Sequence, residues 1–231
     1  MRNILNEKPD LSLHSRLKFS NNLVDTKDIR GKRVLDVGCG FGWFELNALG
    51  KGVKEIYGIE ITSLDLKAAR DNIKDKRVRF KIGGALKLPF QDNYFDTVVA
   101  WEVIEHIPKN TEDKMFKEIR RVLKRDGRFY LSTPYDSFLS KYLDPAYWLI
   151  GHRHYSKEKL ISLGRKNGFN ESKIYIEGGW WGLINIWNLY ITKWIFRRRP
   201  FYESKLIVKE DVEYKSSKGF MGIFVEYQKI S

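Results

Sequence analysis

The 231-residue chain has one cysteine, Cys39, so no internal disulfide can form. That usage fits a reducing compartment. The N-terminal stretch is polar and charged and lacks the apolar run of a signal peptide, so no leader is read there. No stretch reaches ~18 uncharged apolar residues, which argues against a membrane-spanning helix. Internal repeats, low-complexity tracts and a linker long enough to split the chain are also missing. Gly151-His152-Arg153-His154-Tyr155 has H-x-H spacing. No nearby carboxylate or cysteine pattern accompanies it, so no metal site is expected.

Positive charge is plentiful. Lys and Arg number 42 against 29 Asp and Glu, a net charge of +13. A solvated lysine-rich surface accounts for this; so does an anionic partner such as nucleic acid, an acidic glycan or an anionic membrane face. The length suffices for one α/β domain with a full core, and the expectation is a single domain over residues 1–231.

One stretch organises the rest: Val34-Leu35-Asp36-Val37-Gly38-Cys39-Gly40-Phe41-Gly42, followed by Trp43-Phe44-Glu45-Leu46. Its first half reads as a buried strand, its second as a glycine turn opening a helix. Strand, glycine turn and helix N-terminus together make a nucleotide-type site. The glycines let the backbone turn sharply and approach a ligand, since no Cβ intervenes. A dinucleotide fingerprint would place its third glycine at position 43, where Trp43 stands; here it comes one place early, at Gly42.

Further strands are expected at 54–60, 78–82, 95–101, 128–133 and 170–177, separated by helical stripes such as Met115, Phe116, Ile119, Val122 and Leu123. Residues 11–24 fit a short amphipathic helix loosely. Residues 135–155 read as an aromatic loop. Trp180 to Arg199 reads as one helix with an apolar stripe, within an aromatic and basic insertion at about 178–218. Leu206 to Val212 and Phe220 to Tyr227 alternate like antiparallel strands. Strands separated by helices argue for a parallel, doubly wound sheet. Gly38, Glu60, Ala85 and Trp101 all fall at strand carboxyl ends, where ligands bind in such sheets.

Asp36-Val37-Gly38-Cys39-Gly40-Phe41-Gly42 resembles motif I of the class I S-adenosylmethionine (SAM) dependent methyltransferases, type 11 domain group. Ile56-Tyr57-Gly58-Ile59-Glu60 is similar to that family's second strand with its acidic end. Gly83 to Phe90 and Phe95 to Ile107 resemble the third and fourth strand regions. Glu118 to Lys124 and Gly127 to Pro134 resemble the following helix and fifth strand. The resemblance covers residues 30–176, with four motifs in order. It implies an α/β, three-layer, doubly wound and mostly parallel seven-stranded sheet with a reversed C-terminal strand.

The resemblance also implies SAM as cofactor, with S-adenosylhomocysteine as product, held by Asp36, Gly38, Cys39, Gly40, Gly42, Glu60, Ile61, Gly84, Ala85, Leu86, Trp101 and Glu102. Glu60 can accept two hydrogen bonds from the ribose diol. Asp36 holds the glycine loop or approaches the methionine ammonium. Many family members carry an acidic residue where Gly84 stands, so adenine recognition falls to the backbone of Ala85 and Leu86. Trp101 is either core or a cation–π partner of the sulfonium. Arg16, on the leading helix, either faces the SAM carboxylate or is a surface arginine. His106 is structural or catalytic, and His152 and His154, with Tyr155, sit in a loop expected to meet the acceptor.

Methyl transfer to an unidentified small-molecule, glycan or lipid-linked acceptor is therefore expected. The alternative is a non-catalytic SAM- or nucleoside-binding protein that docks on a membrane or protein through its C-terminal aromatic segment. Nucleic acid is a lesser option: the N/D-P-P-Y/F motif is absent after strand four. The expected location is cytoplasmic, with peripheral attachment to the inner membrane face through the tryptophan-rich stretch.

Overall fold

The sheet grows from short apolar runs. The computed structural model describes residues 8–198, 200–216 and 219–230. Its strands are β1 (Arg33–Val37), β2 (Glu55–Glu60), β3 (Val78–Ile82), β4 (Phe95–Trp101), β5 (Leu123–Pro134), β6 (Phe169–Glu177) and β7 (Gly222–Lys229), in the order β3-β2-β1-β4-β5-β7-β6. Only β7 runs against its neighbours, pairing antiparallel with both β5 and β6. The expected sheet and its reversed last strand are present.

Period-two alternation sorts the core into two layers. Leu35, Val37, Tyr57, Ile59, Val98, Ala100, Phe129 and Tyr227 face one side. There they meet Met115, Phe116, Ile119 and Val122 of α4 (Glu112–Val122) and Leu160 and Leu163 of α7 (Lys157–Lys166). Val34, Ile56, Val99 and Tyr130 face the other side, covered by Phe44 and Ala48 of α2 (Trp43–Gly50) with Val24 and Ile29. Helices on both faces of a parallel sheet leave its carboxyl edge as the open crevice. Two further helices border that edge: α1 (Ser15–Leu23) and α3 (Ser63–Asn72), the latter capped by Thr62, whose hydroxyl accepts from Asp65 N.

Three expectations need correction. Residues 135–155 form two short helices as well as a loop: α5 (Phe138–Leu143) and α6 (Pro145–Ile150). Ser137 and Asp144 cap them, accepting from Ser140 N and Ala146 N at 3.0 and 2.9 Å. Such local caps decide helices of six residues, which are too short for a period to show.

Leu206 to Val212 is a helix as well, within α9 (Glu203–Glu213). It is helical because it docks on α8 (Trp180–Tyr190). The Glu213 carboxylate accepts from the backbone N–H of Gly179, Trp181 and Gly182, donors that a helix start leaves unpaired. Lys209 lies 3.7 Å above the Trp181 ring.

The helix expected from Trp180 to Arg199 stops at Tyr190 and widens into a π turn, Ile191–Ile195. The buried Thr192 bonds back to the carbonyls of Asn188 and Leu189 there. Arg199 lies outside the described residues.

The apolar stripe of α8 is only partly covered, with Leu183 buried. Asn185 donates to Glu210, and Asn188 pairs with the backbone of Phe201, so its amide side is covered. Trp180, Ile184 and Trp187 of its apolar stripe are exposed, followed by Ile191, Trp194 and Ile195 of the π turn, with Ile195 70% exposed. Phe138, Tyr142, Trp148 and Leu149 of α5 and α6 are exposed too. Among the described residues, no helix is long and apolar enough to cross a membrane.

Candidate functional site

The crevice lies where the strand order reverses, between β1 and β4 with β2 beside them. Past the end of β1 the chain makes three left-handed glycine steps, with φ of +79° at Gly38, +53° at Gly40 and +94° at Gly42. Gly38 and Cys39 donate their N–H groups to Ile59 O of β2. A Cβ at Gly38 would come within 2.7 Å of Val103, so only glycine fits there. A Cβ at Gly40 or Gly84 would meet nothing, so these two backbones face open space.

Glu60 ends β2 and latches the loop: its Oε1 accepts from Gly40 N at 2.9 Å. Burial raises its pKa, while the N–H groups of Gly40 and Ile61 pull it back. Ile61, 74% exposed, follows directly. Ile82, also exposed, is the register partner of Glu60 on β3. Ala85 puts its side chain in the core, and Leu86 packs against that core.

Beneath the loop sits an acidic pair. Asp36 and Glu45 are both buried; Asp36 Oδ1 and both Glu45 oxygens lack protein partners. Burial pushes Glu45 up to about 8, with Glu60 adding to it, and raises Asp36 as well. A side chain at Gly58 would run into Glu45 and Cys39, so glycine on β2 makes room for the acid. Burial also raises the Cys39 thiol, which keeps it a small neutral side chain and not a nucleophile.

At the end of β4, Trp101 packs edge-on against Phe44 with ring centroids 6.2 Å apart. Its Nε1 is buried without a partner. Glu102 adopts φ +54°, an uncommon conformation for a carboxylate residue. Its Oε1 accepts from Ser132 Oγ and its Oε2 from Arg16 Nη1, both at 2.7 Å. Arg16 is exposed yet paired: α1 brings it to Glu102, which holds it firmly protonated. α1 is in turn tied to α9, because Asp211 accepts from Ser15 N and lies 3.3 Å from His14 Nδ1.

The histidines divide between two places. His106 and His152 meet edge to face with centroids 4.6 Å apart, and burial lowers both pKa values. Both are therefore neutral at pH 7, and His152 Nε2 has no partner. His154 lies inward, 1% exposed, with Nε2 3.1 Å from Asp144 Oδ2. Tyr155 was expected at the acceptor. The structure instead buries it in the core, where its hydroxyl donates to Ile104 O and Glu112. Arg153 stitches the same loop to Ile104, Glu105 and Ile107 carbonyls.

Glu45, Asp144 and Arg153 escaped the sequence reading. Glu45 alone left a signal, as a lone acid in an apolar helix start. Among the described residues no cluster of three or more His, Cys, Asp or Glu could hold a metal.

The site suits a nucleoside cofactor of SAM type. Two glycine backbones open onto free space at the loop, an acid ends the neighbouring strand, and unpaired buried polar atoms point to the same strand ends. Residues 35–131 match the model of the methyltransferase domain family. The rat mitochondrial ubiquinone biosynthesis O-methyltransferase is 32% identical over 172 residues, covering 67% of this chain and 49% of that protein. Phosphoethanolamine N-methyltransferase 2 of Caenorhabditis elegans is 30% identical over 145 residues, 60% of this chain and 32% of that one. The chain spans less than half the length of these curated relatives. In fold, an S-adenosylmethionine dependent methyltransferase from Mesorhizobium loti superposes with a TM-score of 0.65 at 16% identity, over 92% of this chain and 97% of that one.

Proposed function

With a methyltransferase domain across residues 35–131 as the premise, we propose that this chain binds SAM in the β1–β2–β4 crevice and transfers its methyl group to a polar nucleophile. The observation that carries this reading is the latch between the Gly40 N–H and Glu60, which aligns a glycine backbone and a ribose-binding acid on one open space. Asp36, Gly38, Cys39, Gly40 and Gly42 form the floor, and Glu60 and Ile61 hold the ribose and adenine side. The backbone of Gly84, Ala85 and Leu86 completes the adenine edge. Trp101 and Glu102 border the methionine end.

When bound, SAM supplies an already activated methyl group on a sulfonium. The residues of this chain need only align the acceptor, exclude water and accept a proton where the nucleophile carries one. His152 and His106 suit the last task, because both are neutral at pH 7 and His152 Nε2 is free to accept. His154, braced on Asp144, positions the loop that carries His152.

His152→Ala should leave SAM affinity unchanged and lower transfer by roughly 10²–10⁴-fold, the usual worth of a general base. Calorimetry and radiolabel transfer from SAM to fractionated lipids, glycans and small metabolites measure the two arms. A fall in SAM affinity instead would make the loop a cofactor lid. The reading treats residues 1–231 as one domain, with the segment at 178–218 as its cap on the acceptor side.

The exposed stripe of α8 suits peripheral attachment to an anionic membrane, on the cytoplasmic side. Tryptophan favours the headgroup layer, and each basic residue near an anionic surface adds ~1 kcal/mol. The segment from Gly178 to Tyr202 carries Lys193, Arg197, Arg198 and Arg199 and no exposed or buried carboxylate. Co-sedimentation with anionic vesicles should fade with salt and drop when Trp187 and Trp194 become serine in a folded protein. No sedimentation with any vesicle would remove the membrane.

A further inference from the structure

The α8–α9 cap holds an open apolar groove of about 690 Å³, lined by Leu143, Leu183, Ile184, Trp187, Ile191 and Phe201 among others. That volume lies within the ~300–1,000 Å³ of small-ligand sites. The cap's polar groups are already spent. Asn185 donates to Glu210 of α9, both ends of the Asn188 amide pair with the Phe201 backbone, and Trp187 Nε1 donates to Leu143 O at 2.8 Å, so the lining is apolar apart from the Asn188 amide and the Tyr202 hydroxyl.

One short segment relates the groove to the histidine pair. Leu143 forms its wall, and the next residue, Asp144, holds His154 at 3.1 Å. Two residues before His154 stands His152, against His106. The segment that walls the trough is thus the one that braces the loop carrying His152. Cations border it: Arg198 stacks on Phe201 and Lys205 on Tyr202, both rings being groove lining, with the exposed Glu203 beside Tyr202. Cations around an apolar trough complement an anionic bilayer and the chains that leave it.

We propose that this groove takes the hydrocarbon chain of an amphiphilic acceptor drawn from an anionic bilayer, with the acceptor's polar end at His152. The proposal rests on the methyl-transfer reading for the role of the polar end; the groove's affinity for a chain does not. Hydrocarbon chemistry follows from the lining, since each CH₂ taken from water into it is favourable and no polar partner has to be matched. The acceptor's head would then be held by the geometry of its tail, which is how binding energy remote from the reacting atoms is used.

Bromine quenches tryptophan on contact, and Trp180 and Trp187 line the groove. Dibrominated stearate, added as monomer to the full chain, should quench fluorescence saturably. Stearate and dibrominated propionate should not. Ile184→Glu combined with Ile191→Glu, both exposed sites, should weaken the quenching by about tenfold or more. Circular dichroism and SAM affinity should stay unchanged. Vesicles of dibrominated phosphatidylglycerol should quench as well; quenching by the monomer alone would overturn the bilayer as the source.

Unaltered quenching in the double variant, or none in a protein that binds SAM, would overturn the groove. A dimer in sedimentation that the double variant dissociates would make the groove a contact between copies and overturn it too. Saturable quenching in a protein that fails to bind SAM would instead sink the methyl-transfer reading and leave the chain site standing.

Discussion

Glu60→Ala is expected to weaken SAM binding by about 1–3 kcal/mol, roughly 5- to 150-fold, in a chain that stays folded. Two losses combine. The ribose diol loses its acceptor, and the Gly40 N–H loses the partner that holds the loop at 2.9 Å. Glu60→Gln separates the two, because its amide oxygen can still accept from Gly40 while the charge is gone. The glutamine variant should therefore recover part of the affinity. Isothermal titration with SAM and with S-adenosylhomocysteine reads both. Equal affinity in Glu60→Ala and the parent chain would remove Glu60 from the site and leave the glycine loop without its cofactor partner.

Glu45→Gln is expected to stabilise the fold at neutral and alkaline pH. Burial pushes Glu45 up to about 8 in the folded chain, against an ordinary glutamate value in the unfolded one. The folded state thus holds the proton more tightly. Below the unfolded value both states are protonated and nothing is lost. As pH rises from the unfolded value through about 8, the unfolded chain ionises first and folding stability falls. Glutamine has no proton to lose, so its advantage should grow across that window to about 2–4 kcal/mol. Asp36, Cys39 and Glu60 surround the site and stay in the variant, so some pH dependence persists. Urea unfolding at pH 5 and pH 8 checks it. Parallel losses in both proteins would place the pH-sensitive charge elsewhere. The glycine loop lies over this pair, so the ionisation that costs stability as pH rises takes place next to that loop.

The strand and glycine pattern determined a great deal. Short β-branched runs separated by helical stripes argued for a mostly parallel sheet, and the offset third glycine excluded a dinucleotide turn. The ends of β1, β2 and β4 were therefore legible from residues 36–42, 60 and 101 alone, because local backbone chemistry sets them. Tertiary contacts decided the rest. Residues 206–212 look like strand on alternation, yet Glu213 reaching the start of α8 makes them helix. Arg16 is exposed, and only the placing of α1 gives it Glu102 as a partner across 86 positions of sequence. His152, His154 and Tyr155 are neighbours in sequence, but the fold sends them to His106, to Asp144 and to the core. The stripe of α8 was readable as amphipathic; that its tryptophans face outward and its asparagines inward was not. A helical period fixes which residues share a face, while the element packed against that face decides which way it points.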